Sequence, residues 1–355
     1  MALQVFNSDS VGPGYQANIG TDDDLYVKAG VLLASTDFAA VYGEGIGQSV
    51  HIDGTLVSVA GTIEWGPFSA IETGNDLLLG ASSLLKCFGG AGSAAVLLTG
   101  GDWDIDMRGF VFSTGQGLQV ADGTGADSTI TNSGEISVAL RAITILSADN
   151  FVIDNSGIVR GLGTAISASG DGVVNLENSG KIVGNVDGAG SGVLRIENSG
   201  VIKGIVQLGA QADIYDGQFG ALKGAIEGGA GDDKIIGGTE KTRIQGDAGR
   251  DLITGGLGAD LFIYNVAGDS TLDASGRDLI TDFSHKSRDI IDFSTLIPGE
   301  LDFVGKSHFA GADEIRFQVI GKSTFVYVNL DADQEAEMAI QCTGKIKFVQ
   351  ADFAI

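Results

Sequence analysis

Cysteine, proline, histidine and basic residues are all scarce in this chain, and each scarcity removes a class of explanation. Two cysteines in 355 residues, Cys87 and Cys342, cannot build a disulfide framework or a zinc site. A single bridge between them stays open, but two unpaired, buried thiols are the expectation. The three histidines, His51, His285 and His308, are isolated, so there is no His-Glu-x-x-His helix and zinc-protease chemistry is excluded. Three prolines against 56 glycines favour tight turns without collagen's strict period. Lys and Arg total 21 against 46 Asp and Glu, a net charge of -25. Nucleic acid and anionic lipid surfaces are therefore poor partners, and cations good ones. No apolar run approaches the length of a membrane span. The opening MALQVFNSDSVGPGYQ has no basic stretch followed by an apolar one, so no cleaved Sec leader is expected. Hydrophobic content of 43% argues against simple disorder. No long segment carries a helical period, and the chain is expected to be all-β.

What is abundant is glycine in register. From Gly228 to Ile263 the chain reads, in nines, GGAGDDKII, GGTEKTRIQ, GDAGRDLIT, GGLGADLFI. This approximates G-G-x-G-x-D-x-U-x, with U a large apolar residue. A flexible glycine linker has no reason to keep Ile235, Ile244, Ile253 and Phe262 at every ninth place. Glycines let the backbone turn tightly and aim carbonyl oxygens at one point, and the sixth-place Asp233, Asp251 and Asp260 add negative charge there. Oxygen donors without thiol or imidazole suit calcium. The expected ligand-bearing positions are Gly228, Gly229, Gly231 and Asp233; Gly246, Ala248, Gly249 and Asp251; and Gly255, Gly256, Gly258 and Asp260. Loops two blocks apart should stack, so Asp233 and Asp251 form a sound site. Asp260, facing Thr242 of a block that also has Glu240 for glycine, forms a weak one. About two well-held ions are expected.

Upstream, Asn-Ser-Gly recurs at Asn132, Asn155, Asn178 and Asn198, spaced 23, 23 and 20 residues apart. Ile130, Ile153, Leu176 and Ile196 precede these asparagines by two places; Ile136, Val159, Ile182 and Ile202 follow by four. A period near twenty with alternating apolar positions fits one coil of a β-solenoid. The asparagines read as a stacked polar ladder at one corner, with the glycine free to take positive φ. Ala17 to about Gly123 reads as earlier, looser coils, with Asp22-Asp-Asp24 in a loop or cap. The phase of Asn198 to Gln207 recurs at Gln218 to Glu227, so the fold expected is a right-handed parallel β-helix continuing into a β-roll.

After the nonapeptides come Gly-Asp-Ser at 268 to 270, Asp-Leu-Ile-Thr-Asp-Phe at 278 to 283 and Asp-Ile-Ile-Asp-Phe-Ser at 289 to 294. Together with the nonapeptides, residues 228 to 355 resemble the RTX (hemolysin-type) calcium-binding region and C-terminal domain of serralysin-type secreted proteins. The resemblance implies that Asp269, Asp278 and Asp289 complete calcium sites at the end of the roll. It also implies export from a Gram-negative cell, unfolded, through a type I secretion apparatus that reads an uncleaved C-terminal signal. Asp352-Phe-Ala-Ile355 fits the acidic-then-apolar ending of such signals. Closely spaced carboxylates would keep the chain open without calcium, and calcium outside would let binding free energy become folding free energy.

The division expected is a β-helix with an N-terminal cap over 1–227, a calcium roll over 228–263 and a serralysin-like C-terminal domain over 264–355. The sequence supports a secreted structural, adhesive or matrix role, with polysaccharide or further copies of the chain as surface partners. The alternative is an extracellular polysaccharide lyase, epimerase or hydrolase on the β-helix. The candidate catalytic acids are Asp102, Asp104 and Asp106, which a strand would place on one face, with Trp103 on the other. Acids on an exposed strand are more often a solvated face, and no compact acid–base constellation stands out.

Overall fold

A residue pattern of period two buries one face of each strand, and a coil stacked on its neighbours repeats that choice in register. The computed structural model describes residues 2–20, 23–44, 47–65, 75–90, 92–100, 102–121, 127–190 and 192–355; Asp22 and Gly123, named above, lie outside them. The chain divides into two units, Met1–Arg195 with Gly200–Gly204, and Ile196–Ser199 with Ile205–Ile355. Among the described residues the only helices are two 3-10 turns, Ala267–Asp269 and Gln350–Asp352, and no helix is long and apolar enough to cross a membrane. The all-β parallel solenoid expected from the repeats is what forms.

In the first unit every coil adds parallel strands in register. One inward row runs Leu33, Leu56, Leu85, Val111, Ile136, Val159, Ile182 and Ile202 on successive coils, all essentially excluded from water. Burying each such side chain contributes roughly 1.5–3 kcal/mol, so the row is the spine of the unit. The coils before Thr129 hold the same register, beginning with Leu3–Phe6 on Asp24–Val27. They differ in length, with contacts one coil apart separated by 25 and 27 residues there and by 23 further on.

A second inward row passes from Leu79 through Met107 to Asn132 and Asn155. Where apolar residues give way to asparagine, the amides satisfy one another: Asn132 Nδ2 donates to Asn155 Oδ1 and Asn155 Nδ2 to Asn178 Oδ1, each at 2.7 Å. The expected ladder is present. The reason expected for its glycine is corrected. Gly157 does not take positive φ; a Cβ there would lie 2.1 Å from the Gly134 carbonyl oxygen of the preceding coil. Close stacking of backbones, not a left-handed turn, excludes a side chain at that corner. Cys87 is buried and unpaired, as is Cys342 in the second unit.

In the second unit the coil shortens to 18 residues. Tyr215, Ile235, Ile253, Ile280 and Cys342 form one inward row. Ile226, Ile244, Phe262, Ile291 and Phe353 form the other. The eighth-place residues are thus buried, each at the centre of a three-residue strand. The unit closes on the antiparallel strands Glu314–Ile320, Ser323–Asn329 and Met338–Thr343. Packed rings fill the end, with Phe348 centred 4.9 Å from Phe283 and 5.3 Å from Phe353.

Candidate metal centre

The corner of each 18-residue coil is set by glycine. Gly231 and Gly249 take φ of 119° and 144°, backbone that a side chain resists, and the turn delivers the aspartate two places later to the interior. Asp233, Asp251 and Asp260 are all at least 98% buried (2%, 1% and 1% exposed). Each uses Oδ1 to accept the backbone N–H of the preceding coil. Asp213 N donates to Asp233 at 2.8 Å, Asp233 N to Asp251 at 2.9 Å, and Asp251 N to Asp278 at 2.9 Å. On the other edge Thr242 N donates to Asp260 at 2.8 Å and Asp260 N to Asp289 at 3.1 Å. The stacking expected two blocks apart is the stacking observed.

The second oxygen of each carboxylate decides the chemistry. Oδ2 of Asp233, Asp251 and Asp260 is buried without a hydrogen-bond partner among the described residues. The first-place glycines lie against these atoms: a Cβ on Gly246 would sit 2.2 Å from Asp251 Oδ2, and one on Gly228 2.6 Å from Asp233 Oδ2. An orphaned buried carboxylate oxygen is costly unless something positive meets it. Repeated coil after coil among backbone carbonyls, with no nitrogen or sulfur donor, these oxygens fit a hard cation such as calcium.

Electrostatics point the same way. Burial, above all, pushes the Asp233 carboxyl up to about 8, with the neighbouring Asp251, Asp213 and Asp232 charges adding to the rise. Asp251 and Asp260 rise to about 7, again chiefly through burial. Asp278 is held well above the ordinary range by burial and by the Asp251 charge. Without a cation, burial disfavours the charged form of these carboxylates and favours uptake of a proton; a divalent ion would supply the same neutralisation.

The acids assigned by resemblance fall into distinct roles. Asp278 and Asp289 extend the two ladders. Asp269 instead ties a turn, its Oδ2 accepting from Asn265 N at 2.7 Å and Val266 N at 3.1 Å, while its charge bears on Asp251. Three acids passed over in the sequence join the same surroundings. Asp213 heads one ladder from a block whose first and fourth places are not glycine. Asp247 sits at a second place where glycine is expected, at φ 63°, and accepts from Gly229 N at 3.2 Å. Asp282 accepts from Gly255 N at 2.8 Å and Gly256 N at 2.9 Å. Asp331, Asp333 and Glu337, also unforeseen, bring carboxylate oxygens within 4.8 Å of one another, but Asp331 and Asp333 are exposed on a surface turn.

The catalytic candidates lie elsewhere. Asp104 and Asp106 point outward from the strand Trp103–Met107, and Asp102 precedes it. Trp103 points inward, its Nε1 donating to the Gly100 carbonyl at 3.0 Å. Asp104 accepts from Thr129 Oγ1 at 2.6 Å, and Asp106 pairs with Arg108.

Residues 207–355 match the family described as Peptidase M10 serralysin C terminal, and this part of the chain is an RTX-like β-roll, a type of domain that typically binds calcium. No curated protein matches the chain. Among solved structures, the chain is similar to the solution structure of the AlgE6R2 subunit from the Azotobacter vinelandii mannuronan C5-epimerase. Identity is 25%, over 36% of this chain and 80% of that one, with a TM-score of 0.29, a superposition too loose to bear on fold or function.

Proposed function

We propose that this chain is a secreted, calcium-folded solenoid with a structural, adhesive or matrix role at the surface of a Gram-negative cell. The observation that carries the proposal is the run of buried aspartates whose second carboxylate oxygens have no hydrogen-bond partner among the described residues. A cytosol poor in free calcium would leave them uncompensated, whereas calcium outside the cell would fill them and drive folding. The C-terminal segment would be read by a type I secretion apparatus before folding. Asp233 and Asp251, with Gly228, Gly229, Gly231, Gly246, Ala248 and Gly249, would hold the better-formed site. Gly255, Gly256, Gly258 and Asp260, with Asp289, would hold a second, and Asp269 and Asp278 would close the roll. The division at 227 and 263 belongs to the same proposal.

A structural role predicts calcium-dependent filaments, sheets or glycan adhesion by the purified chain. The second reading, a polysaccharide-modifying enzyme, draws on the outward Asp104 and Asp106. It predicts unsaturated or epimerised products from acidic polysaccharides, lost in Asp104→Asn. Electron microscopy and a product assay on one calcium-loaded preparation separate the two: products abolished by Asp104→Asn, without assemblies or adhesion, would overturn the structural role.

A further inference from the structure

Charge is segregated on the first unit. Outward positions of the strands Asn75–Leu79, Trp103–Met107, Ser128–Asn132, Phe151–Asn155 and Val174–Asn178 carry Asp76, Asp104, Asp106, Asp154 and Glu177, with no lysine or arginine; only on the next strand, Leu194–Asn198, does a base appear, Arg195 beside Glu197. The next strip of each coil is the reverse. Lys86, Phe112, Ser137, Arg160, Val183 and Lys203 lie in one outward register line, and Lys181 lies on the same face in the adjacent line. Glu135 is the one acid of that face among these strands. Among the described residues, none of the four bases meets a carboxylate at ion-pair distance. In a chain of net charge -25, unpaired bases gathered on one strip are not what an indifferent surface would show.

The strip borders a cavity. The strand Ile158–Ala168 breaks register between Arg160 and Thr164, and the extra residues push Leu162 out to 79% exposure. Beside this bulge lies a cavity of about 350 Å³ lined by Gln116, Leu140, Arg141, Leu162, Gly163 and Thr164, of a size that takes a small ligand or one unit of a larger one. The exposed Arg141 guanidinium has no hydrogen bond or ion pair among the described residues. It therefore offers a free planar fork at the wall, with an amide and a hydroxyl beside it and two leucines flanking. Bulges that re-aim side chains in this way are over-represented next to functional sites.

We propose that this strip binds a carboxylated polysaccharide, with one uronate unit seated at Arg141 and the chain running across Arg160 toward Lys86 or Lys203. The inference rests on the surface-glycan part of the proposed role and names its site and ligand class. Arginine's fork pairs a carboxylate in bidentate fashion. Half-exposed Phe110 and Phe112 on the same face offer ring surface to sugar C–H groups. Neighbouring strands lie about 4.8 Å apart, so the line's bases recur every few coils, matching a polymer with well-spaced charges. A nucleic acid, with a charge about every 1.7 Å, would be repelled by the acidic remainder of the molecule.

The test uses the full calcium-loaded chain, in excess calcium, titrated calorimetrically with hyaluronan and galacturonate oligomers, with neutral cello-oligomers and with anionic phosphatidylserine vesicles. Binding of the uronate oligomers alone, weakened at least tenfold in Arg141→Gln and in Arg160→Gln, partly restored in Arg141→Lys and unchanged in Glu177→Gln, is the expected result. Circular dichroism on each variant checks that the solenoid is intact; both arginines are outward-facing, so it should be. Uronate binding that survives both glutamine variants would overturn this site while leaving a glycan-binding role standing. Binding of neutral oligomers or of vesicles alone would overturn the ligand class, and no glycan binding at all would remove the surface-glycan role with it.

Discussion

Asn155 in the first unit and Asp251 in the second are both buried polar side chains at a bend of the coil with a like residue one coil away, Asn155 ending the strand Phe151–Asn155 and Asp251 preceding Leu252–Thr254. Asn155 is complete within the protein. Its Oδ1 accepts from Asn132 and its Nδ2 donates to Asn178, so donors along the ladder point one way and the Oδ1 of Asn132, at its first end, is left unmet among the described residues. Asp251 is incomplete. Its Oδ1 accepts a backbone N–H, but its Oδ2 is another acceptor facing no donor. A carboxylate oxygen where the other ladder has an amide nitrogen leaves a stack that needs a cation or a proton. The two units can share a solenoid design and still differ in whether folding is conditional.

The largest effect should come from removing carboxylates where the second unit needs them filled. Asp233→Ala with Asp251→Ala should abolish the tightest calcium site, lowering affinity by at least about tenfold for each lost carboxylate ligand, read by calorimetric titration. Asp260→Ala should cost less, because its neighbour is Thr242, whose hydroxyl already donates to Glu240.

Acid should partly stand in for calcium. Burial raises Asp233 to about 8 and Asp251 and Asp260 to about 7, from an ordinary 3.8. The folded, metal-free chain therefore holds protons that the unfolded chain sheds. Stability from these groups is fully present below about pH 4 and is lost as pH rises through about 7 to 8. In chelator, circular dichroism should show β structure gained on lowering the pH from 8.5 to 5. Calcium added near pH 7 should release protons into the buffer.

Importing the second unit's chemistry into the first sharpens the contrast. Asn155→Asp would place a charge among amides and should destabilise the first unit by about 3–5 kcal/mol at pH 7, with recovery in acid. Asn155→Ala should cost about 1–3 kcal/mol, independent of pH, by stranding its neighbours. Urea denaturation at pH 7 and pH 5 distinguishes the two. Smallest of all, Asp104→Asn on the solvated strip should change stability by no more than about 0.5 kcal/mol.

How far these features could be read beforehand follows from how rigidly each repeat is spaced. The nonapeptides are legible because a coil of two nines leaves no freedom: Gly, Asp and the eighth-place Ile recur at fixed distance, and even the mismatch of Asp260 with Thr242 can be read off. The early coils are legible only as looser coils, without their register, since loops of varying length separate strands whose shared property is an inward apolar residue such as Leu56 or Leu85. Asp213 escaped because its block lacks the glycines that mark the others, although Tyr215 two places on fills the eighth-place role. The glycines of the Asn-Ser-Gly corners were visible, but not their reason, because a close approach of two backbones 23 residues apart leaves no local trace. The basic strip was hidden too: Lys86, Arg160 and Lys203 align only once the register of every intervening coil is known.

Hydrogen exchange of the calcium-loaded chain, repeated at pH 7.5 in excess EGTA, bears most directly on the dependence of the second unit on bound cations. Amides of Lys234–Ile236, Arg243–Gln245, Leu252–Thr254 and Leu261–Ile263 should lose protection in chelator and regain it when calcium is restored, while those of Glu135–Val138 and Phe151–Asn155 stay protected throughout. Undiminished protection of the four short strands in EGTA would mean that the buried aspartates are stable without a cation, contradicting the calcium-folded solenoid.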